Sequence, residues 1–300
     1  MGGVREQAAL FGRRKSLVGI VAHDPAQAGA NLPAIVILNA GIIHRVGPNR
    51  MFVGLARTLA ANGHLVVRFD LAGIGDSEPR DDRLGPLEAA LADIREVLDS
   101  LEATRQVRRV VLVGLCSGAD QSIIYGGRDP RIVGAVLIDP SVPRTPRYYV
   151  RHYRGRMFRL RSWLNFVLGR HEIWRVLDKS AEHSPDNSPP DPENPQVRAF
   201  LENAYRRAVA AGVDLMAIFT AGRESRHNYP EQLPEAFPKV PFGNRLHLEY
   251  FGHTDHTFTL ETDREALTRC IVEWSSRHAA AGGEAALHTQ DEVVRTRRAP

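Results

Sequence analysis

Residues Val110–Asp120 read VVLVGLCSGAD, and the register of this stretch decides the fold. An unbroken aliphatic run, rich in β-branched side chains, marks a strand buried on both faces. The run stops abruptly at small residues, and helix-compatible sequence follows at once. A strand-to-helix turn tight enough to expose one side chain strains the backbone of its central residue. The residues two before and two after must then be small. Centred on Cys116 these are Gly114 and Gly118; centred on Ser117 they are Leu115 and Ala119, and the leucine would clash. The register selects Cys116. A thiolate at a helix N-terminus beside an imidazole has a pKa below the free value of roughly 8.5. The competing reading is an inert cysteine buried at a strand end, a common fate of free thiols.

Working outward, the chain alternates strands and helices. AALFG and SLVGIVAH flank a basic turn at Arg13–Lys15 and predict a hairpin. Strands are predicted at Ala34–Asn39, His64–Leu71, Val110–Leu115, Ile132–Ile138, Val213–Phe219 and Leu246–Phe251. Helical spacing of apolar residues covers Arg50–Ala61, Pro86–Ala103 and Glu261–Ala280. Strands and helices in this rhythm predict βαβ crossovers and a doubly wound, mostly parallel α/β sheet. Residues 143–211 break the rhythm with an arginine- and aromatic-rich stretch, the loop SPDNSPPDPENP and a further helix, and read as a helical lid insertion. The core then comprises residues 1–142 and 212–282, and residues 283–300 form a loose tail.

Three more segments bear chemistry, each just past a predicted strand. The loop FGHTDHTFTLETD offers His253 and His256. His256, next to the closing helix, is the candidate base, and His253 reads as solvent-facing. After VDLMAIF, Glu224 in Gly222-Arg223-Glu224 is the candidate acid that orients the imidazole. Asp139, ending IVGAVLIDP, is the alternative acid. The order nucleophile, acid, base (Cys116, Glu224, His256) favours Glu224. In NAGIIHRVGPNR the Ile42 amide pairs with the Ser117 amide as the predicted oxyanion hole, while His44 and Arg45 stand at its entrance or in a solvated loop. Taken singly, each of these residues has an ordinary structural reading; their order along the chain links them.

These motifs resemble the α/β-hydrolase superfamily from about Ser16 to Ala280. The likeness rests on GLCSG, on FDLAGIGDS (Asp70, Gly73, Gly75, Ser77), on Gly222-Arg223-Glu224 and on Asp255-His256-Thr257-Phe258. More narrowly, RVGPNR, LARTLAANGHLVVRFDLAGIGDSE and DHTF are similar to hydrolases associated with bacterial exosortase systems. Dienelactone hydrolases of the same superfamily also carry a cysteine at the turn. The resemblance implies a Cys/acid/His triad acting on an ester, thioester or lactone carbonyl. Glutamate stands where aspartate is usual, and cysteine where most relatives carry serine.

Composition bounds the rest. Two cysteines in 300 residues, Cys116 and Cys270, exclude a disulfide framework and predict a reduced, cytoplasmic setting. No stretch is apolar enough for a signal peptide or a membrane span. A net charge of +4 is modest for 300 residues and, without a binding motif, does not imply nucleic acid. No motif calls for a metal or cofactor. Nine arginines between Arg144 and Arg175 against one acid, Glu172, make a strongly basic lid. It reads as a solvated face, an anion-binding surface or a device that steers an acidic substrate, such as an acyl group on coenzyme A or a carrier protein. The expected function is cleavage or transfer of an acyl group through an acyl-cysteine. An acyltransferase or cyclase using an amine or alcohol, and a non-catalytic small-molecule binder, stand as alternatives.

Overall fold

A computed structural model describes residues 3–27, 31–157, 191–223 and 226–278. One eight-stranded sheet organises them, in the order β1-β2-β4-β3-β5-β6-β7-β8. β1 (Arg5–Phe11) and β2 (Leu17–His23) form the predicted antiparallel hairpin. β2 pairs antiparallel with β4 (Val66–Phe69). From there the sheet is parallel through β3 (Ala34–Ile37), β5 (Val110–Leu115), β6 (Ile132–Ile138), β7 (Asp214–Thr220) and β8 (Leu246–Phe251). The central strands run as continuous aliphatic segments because both faces are covered. Val36, Leu112, Leu137 and Phe219 face one apolar cluster, with α2 (Pro86–Arg105), α3 (Ser117–Gly126) and α5 (Pro195–Ala210). Ile37, Val113, Ile138 and Ile218 face the other, with α1 (Met51–Ala61) and α7 (Glu261–Ser276). Full burial of each such side chain contributes about 1.5–3 kcal/mol. Between β6 and β7 lie α4 (Pro146–Met157) and α5; the short α6 (Gln232–Ala236) follows β7.

Element bounds shift where a side chain takes over from the ladder. β3 stops at Ile37, not Asn39. The buried Asn39 instead ties two loops together: its Nδ2 donates to Ile43 O at 2.9 Å, and its Oδ1 accepts from Leu71 N at 2.8 Å. FDLAGIGDS is a structural turn. Buried Asp70 accepts from Arg45 N at 2.6 Å and pairs with the Arg45 guanidinium, which also holds Asp76 at 2.6 Å. Arg45, read from the sequence as standing at the site entrance or in a solvated loop, clamps two loops. Gly75 takes φ +54° there, and a Cβ would stand 2.3 Å from Asp70 Oδ2. Cys270 is packed against the α1–α7 face with Leu267 and Ile271. No helix among the described residues is long and apolar enough to cross a membrane.

The expected lid lies in part outside the described residues, including Arg159, Arg161, Arg170, Glu172, Arg175, Trp163, Phe166 and Trp174, as does the tail from 283. Two arginines of the basic stretch, Arg147 and Arg151, meet groups of the chain itself. Arg147 pairs with Glu235 at 2.7 Å, and Arg147 and Arg151 both lie over the Tyr229 ring. Tyr148 is buried and Tyr149 exposed.

Candidate active site

The site forms at the carboxyl ends of β3, β5, β6, β7 and β8. Cys116 sits at the turn between β5 and α3 with φ 57° and ψ −118°, a strained conformation costing about 1–3 kcal/mol. Glycine neighbours make it possible. A Cβ on Gly114 would stand 2.1 Å from the Gly118 carbonyl, and a Cβ on Gly118 would stand 2.5 Å from Asn39 O. The turn is thus centred on Cys116, as its register predicts. Ser117 is the first residue of α3, so its N–H has no acceptor within the helix. Its hydroxyl accepts from Gly41 N at 2.8 Å, tying the loop after β3 to the turn. The Ile42 amide makes no backbone hydrogen bond among the described residues, and the residue is 92% exposed.

His256 stands in the loop after β8, and neighbouring Asp255 holds the loop's shape. The Asp255 carboxylate accepts from Thr257 N, Thr257 Oγ1 and Thr259 N at 2.6–3.0 Å. Although burial raises its pKa, these bonds outweigh that and lower it to about 2. His253 is exposed, as expected. His256 Nδ1 bonds Asp139 Oδ2 at 2.6 Å, which leaves Nε2 as the nitrogen for sulfur. Burial disfavours the imidazolium, but Asp139 and Cys116 together raise its pKa to about 9. Burial likewise raises the Cys116 thiol, yet the hydrogen bond with His256 and the Arg223 charge carry it below the ordinary thiol value. The two shifts describe one coupled thiolate–imidazolium pair.

Asp139 follows the last residue of β6 with φ 47°. Its N–H extends the ladder to Ile218 O at 2.8 Å. Its carboxylate reaches the end of β7, accepting from Thr220 N at 2.8 Å and Thr220 Oγ1 at 2.7 Å. A second imidazole, buried His227, puts Nε2 3.2 Å from Asp139 Oδ1. Burial raises the Asp139 pKa, and His227, His256 and Thr220 outweigh it, bringing it to about 2. The structure therefore brings the alternative acid to His256. Glu224, the first choice from the sequence, lies outside the described residues.

The sequence passed over two neighbours. Arg223 Nη2 lies 2.8 Å from Cys116 Sγ, and His227 flanks the carboxylate. Gly222 is visible in the sequence, but its close approach to His256 N, which sets Arg223 beside the sulfur, shows only in the fold. Beside the sulfur opens a cavity of about 520 Å³. Leu87, Ile124, Val142 and Leu201 supply apolar wall; Asp120, Gln121, Arg223 and Arg226 supply polar groups. Burial raises the Asp120 pKa to about 6 despite the hydrogen bonds from Ser141. Among the described residues no group of three or more His, Cys, Asp or Glu side chains could hold a metal ion.

Sheet order, the strained turn after β5 and the clustering of polar groups at the strand ends define an α/β hydrolase. The chain belongs to the serine aminopeptidase S33 family, whose model matches residues 1–205. That span includes Cys116 and Asp139 and ends before His256. Where the family's name carries serine, this chain has Cys116 at the turn. The fold is also similar to an esterase of Pyrococcus furiosus, 13% identical over 93% of both chains with a TM-score of 0.55. A mouse α/β hydrolase domain-containing protein 10 is 12% identical over 90% of this chain and 99% of its own, TM-score 0.54. A haloalkane dehalogenase of Agrobacterium tumefaciens is 18% identical over 92% and 98%, TM-score 0.53. Sequence comparison with curated proteins gives no match. At these identities the likeness is one of fold, and reaction type rests on the site itself.

Proposed function

We propose that the chain is a hydrolase that cleaves a small ester or thioester through an acyl-cysteine, with Cys116 as nucleophile, His256 as base and acid, and Asp139 as the orienting carboxylate. The observation that carries this is the continuous line from Cys116 through His256 to Asp139, with Nδ1 bonded at 2.6 Å. The thiolate adds to the carbonyl carbon, forming a C–S bond. The carbonyl oxygen becomes an oxyanion, for which the free amides of Ile42 and Ser117 are the proposed donors. Collapse breaks the bond to the departing alcohol or thiol, which takes the proton from His256. His256 then takes a proton from water, whose oxygen bonds to the acyl carbon; the C–S bond breaks, the acid leaves and the Cys116 thiolate returns. Asp139 keeps the imidazole in one orientation and stabilises its charged form throughout. Asp139 is preferred to Glu224 because the Nδ1 position of His256 is already taken by it.

An amine or alcohol in place of water makes the same intermediate an acyltransferase or cyclase intermediate, and thioesters favour amines as acceptors. The likeness to exosortase-associated hydrolases is in keeping with a biosynthetic acyl substrate, free or carried on coenzyme A or a carrier protein. A non-catalytic binder has no use for a strained cysteine paired with an imidazole. Intact-mass spectrometry after mixing with p-nitrophenyl acetate tests the proposal. A covalent acetyl adduct that is lost in Cys116→Ala is the expected result. Absence of both adduct and ester hydrolysis, with this ester and with acetyl and longer acyl thioesters, would overturn it.

A further inference from the structure

Arg223 has no part in the triad, yet its guanidinium touches the reacting sulfur at 2.8 Å. Its position is built from both sides. The turn Ala221–Arg223 lies against the histidine loop: Gly222 N donates to Thr254 O at 3.1 Å, and a Cβ on Gly222 would stand 2.4 Å from His256 N. On the other side, Arg223 O accepts from Arg226 N at 2.7 Å and His227 N at 3.0 Å. The turn that presents Arg223 is thereby fixed to both histidines of the site. Among the described residues, its guanidinium bonds to the sulfur rather than to a carboxylate. Three charged groups act on that sulfur: His256 from the loop after β8, Arg223 from the turn after β7 and Asp120 from α3, the last opposing the other two.

We propose that Arg223 is a catalytic residue that holds the negative charge of Cys116 Sγ before attack and again as the sulfur leaves the acyl-enzyme. This rests on the acyl-cysteine reading above. In the second half-reaction the acceptor loses its proton to His256 and bonds to the acyl carbon. When the tetrahedral intermediate collapses, the C–S bond breaks and its electron pair stays on sulfur. A guanidinium in contact with that sulfur stabilises the departing thiolate and makes it a better leaving group. The same contact makes the resting thiolate more abundant but less nucleophilic, so Arg223 favours turnover of the acyl-enzyme over its accumulation.

Two measurements on the full chain test this. Alkylation of Cys116 by iodoacetamide is followed against pH, with Cys116→Ala reporting the background from Cys270. In Arg223→Gln the midpoint moves up by about one pH unit, so alkylation on the acid side slows roughly tenfold. Decay of the acetyl adduct left by p-nitrophenyl acetate also slows roughly tenfold. Arg223→Lys moves both in the same direction by less, and carries the test if the glutamine variant does not fold. Wild-type midpoint and wild-type decay in the variant, with the adduct still forming, would overturn the role of Arg223 and leave the acyl-cysteine standing. Absence of both adduct and ester hydrolysis in the unmodified protein would instead overturn the acyl-cysteine.

Discussion

The carboxyl ends of β6 and β7 are neighbours in the sheet and look alike in the sequence: each aliphatic run stops at a short polar stretch containing a carboxylate. In space they do different work. The β6 end supplies Asp139, which accepts hydrogen bonds from Thr220 and contacts His256 and His227. The β7 end supplies a cation, Arg223, to the sulfur. Adjacent parallel strands lie only about 4.8 Å apart, so a side chain from either can reach a histidine beyond β8. Which one does so depends on what else is bonded there. The left-handed backbone at Asp139 and the Thr220 bonds turn its carboxylate across β7, and the oxygen that meets His256 is the one Thr220 Oγ1 also holds.

The sharpest way to break this comparison is to exchange the acids. Asp139→Asn is expected to lower the acylation rate by roughly 10³–10⁴-fold, because the imidazole loses both its orientation and its counter-charge. Glu224→Gln is expected to change it by no more than about threefold, within the range of substitutions that leave the reacting groups in place. Burst kinetics with p-nitrophenyl acetate reads both variants. The reverse pattern would return the acid to the β7 end.

Replacing Gly222 by alanine tests the β7 turn. A Cβ there meets the His256 backbone at 2.4 Å, so the histidine loop must move. A displacement of about 1 Å in a reacting group can cost on the order of 100-fold in rate, with about 1–3 kcal/mol of stability lost to overpacking. The expected outcome is a folded protein whose alkylation midpoint rises toward that of a free thiol.

The pH profile separates the imidazole from its carboxylate by sign. The His256 pKa is raised to about 9 above its ordinary 6.5. Its contribution to stability is complete below about 6.5 and is lost as pH rises through about 9. The Asp139 pKa is lowered to about 2 from 3.8. Its contribution is present above about 3.8 and is lost as pH falls through about 2. Acylation by the thiolate–imidazolium pair is expected to hold through neutrality and decline on the alkaline side through about 9. In Asp139→Asn that alkaline limb moves to lower pH. His227→Gln removes the second imidazole, whose Nε2 lies 3.2 Å from Asp139 Oδ1, and its loss is expected to slow acylation roughly tenfold. With the Asp139 charge then shared by one imidazole fewer, the alkaline limb moves up, a shift that loosened packing alone would not produce.

Much of this was legible in the sequence for a steric reason. VVLVGLCSGAD reports its own geometry, since Gly114 and Gly118 must be small for the Cys116 turn to close. The parallel strands are equally plain because their burial on both faces demands unbroken aliphatic runs. The acid was harder to read, because chain order separates strand ends by sequence while the sheet places β6 and β7 side by side. Arg223 was silent for a related reason: an arginine in a loop shows no chemistry until its neighbour is known. Arg45, left between the site entrance and a solvated loop, could not be placed without the Asp70 and Asp76 carboxylates that hold its guanidinium.

The smallest expected effect belongs to the residue that first draws the eye. The Ser117 hydroxyl accepts from Gly41 N at 2.8 Å, joining the loop after β3 to the turn after β5, and in the proposed mechanism takes no part in bond making. Ser117→Ala keeps the backbone N–H that the oxyanion would use and removes only that tie, a neutral hydrogen bond contributing about 1 kcal/mol. Acylation is then expected to fall by about fivefold as the Gly41–Ile42 amides lose their anchor, with adduct mass and alkylation midpoint unchanged. A loss as large as that from Cys116→Ala would make the serine a second nucleophile and break the assignment at its centre. No loss at all would mean that the loop is held by Asn39 through Ile43 O and Leu71 N alone, and Asn39→Ala would then be the variant that releases it.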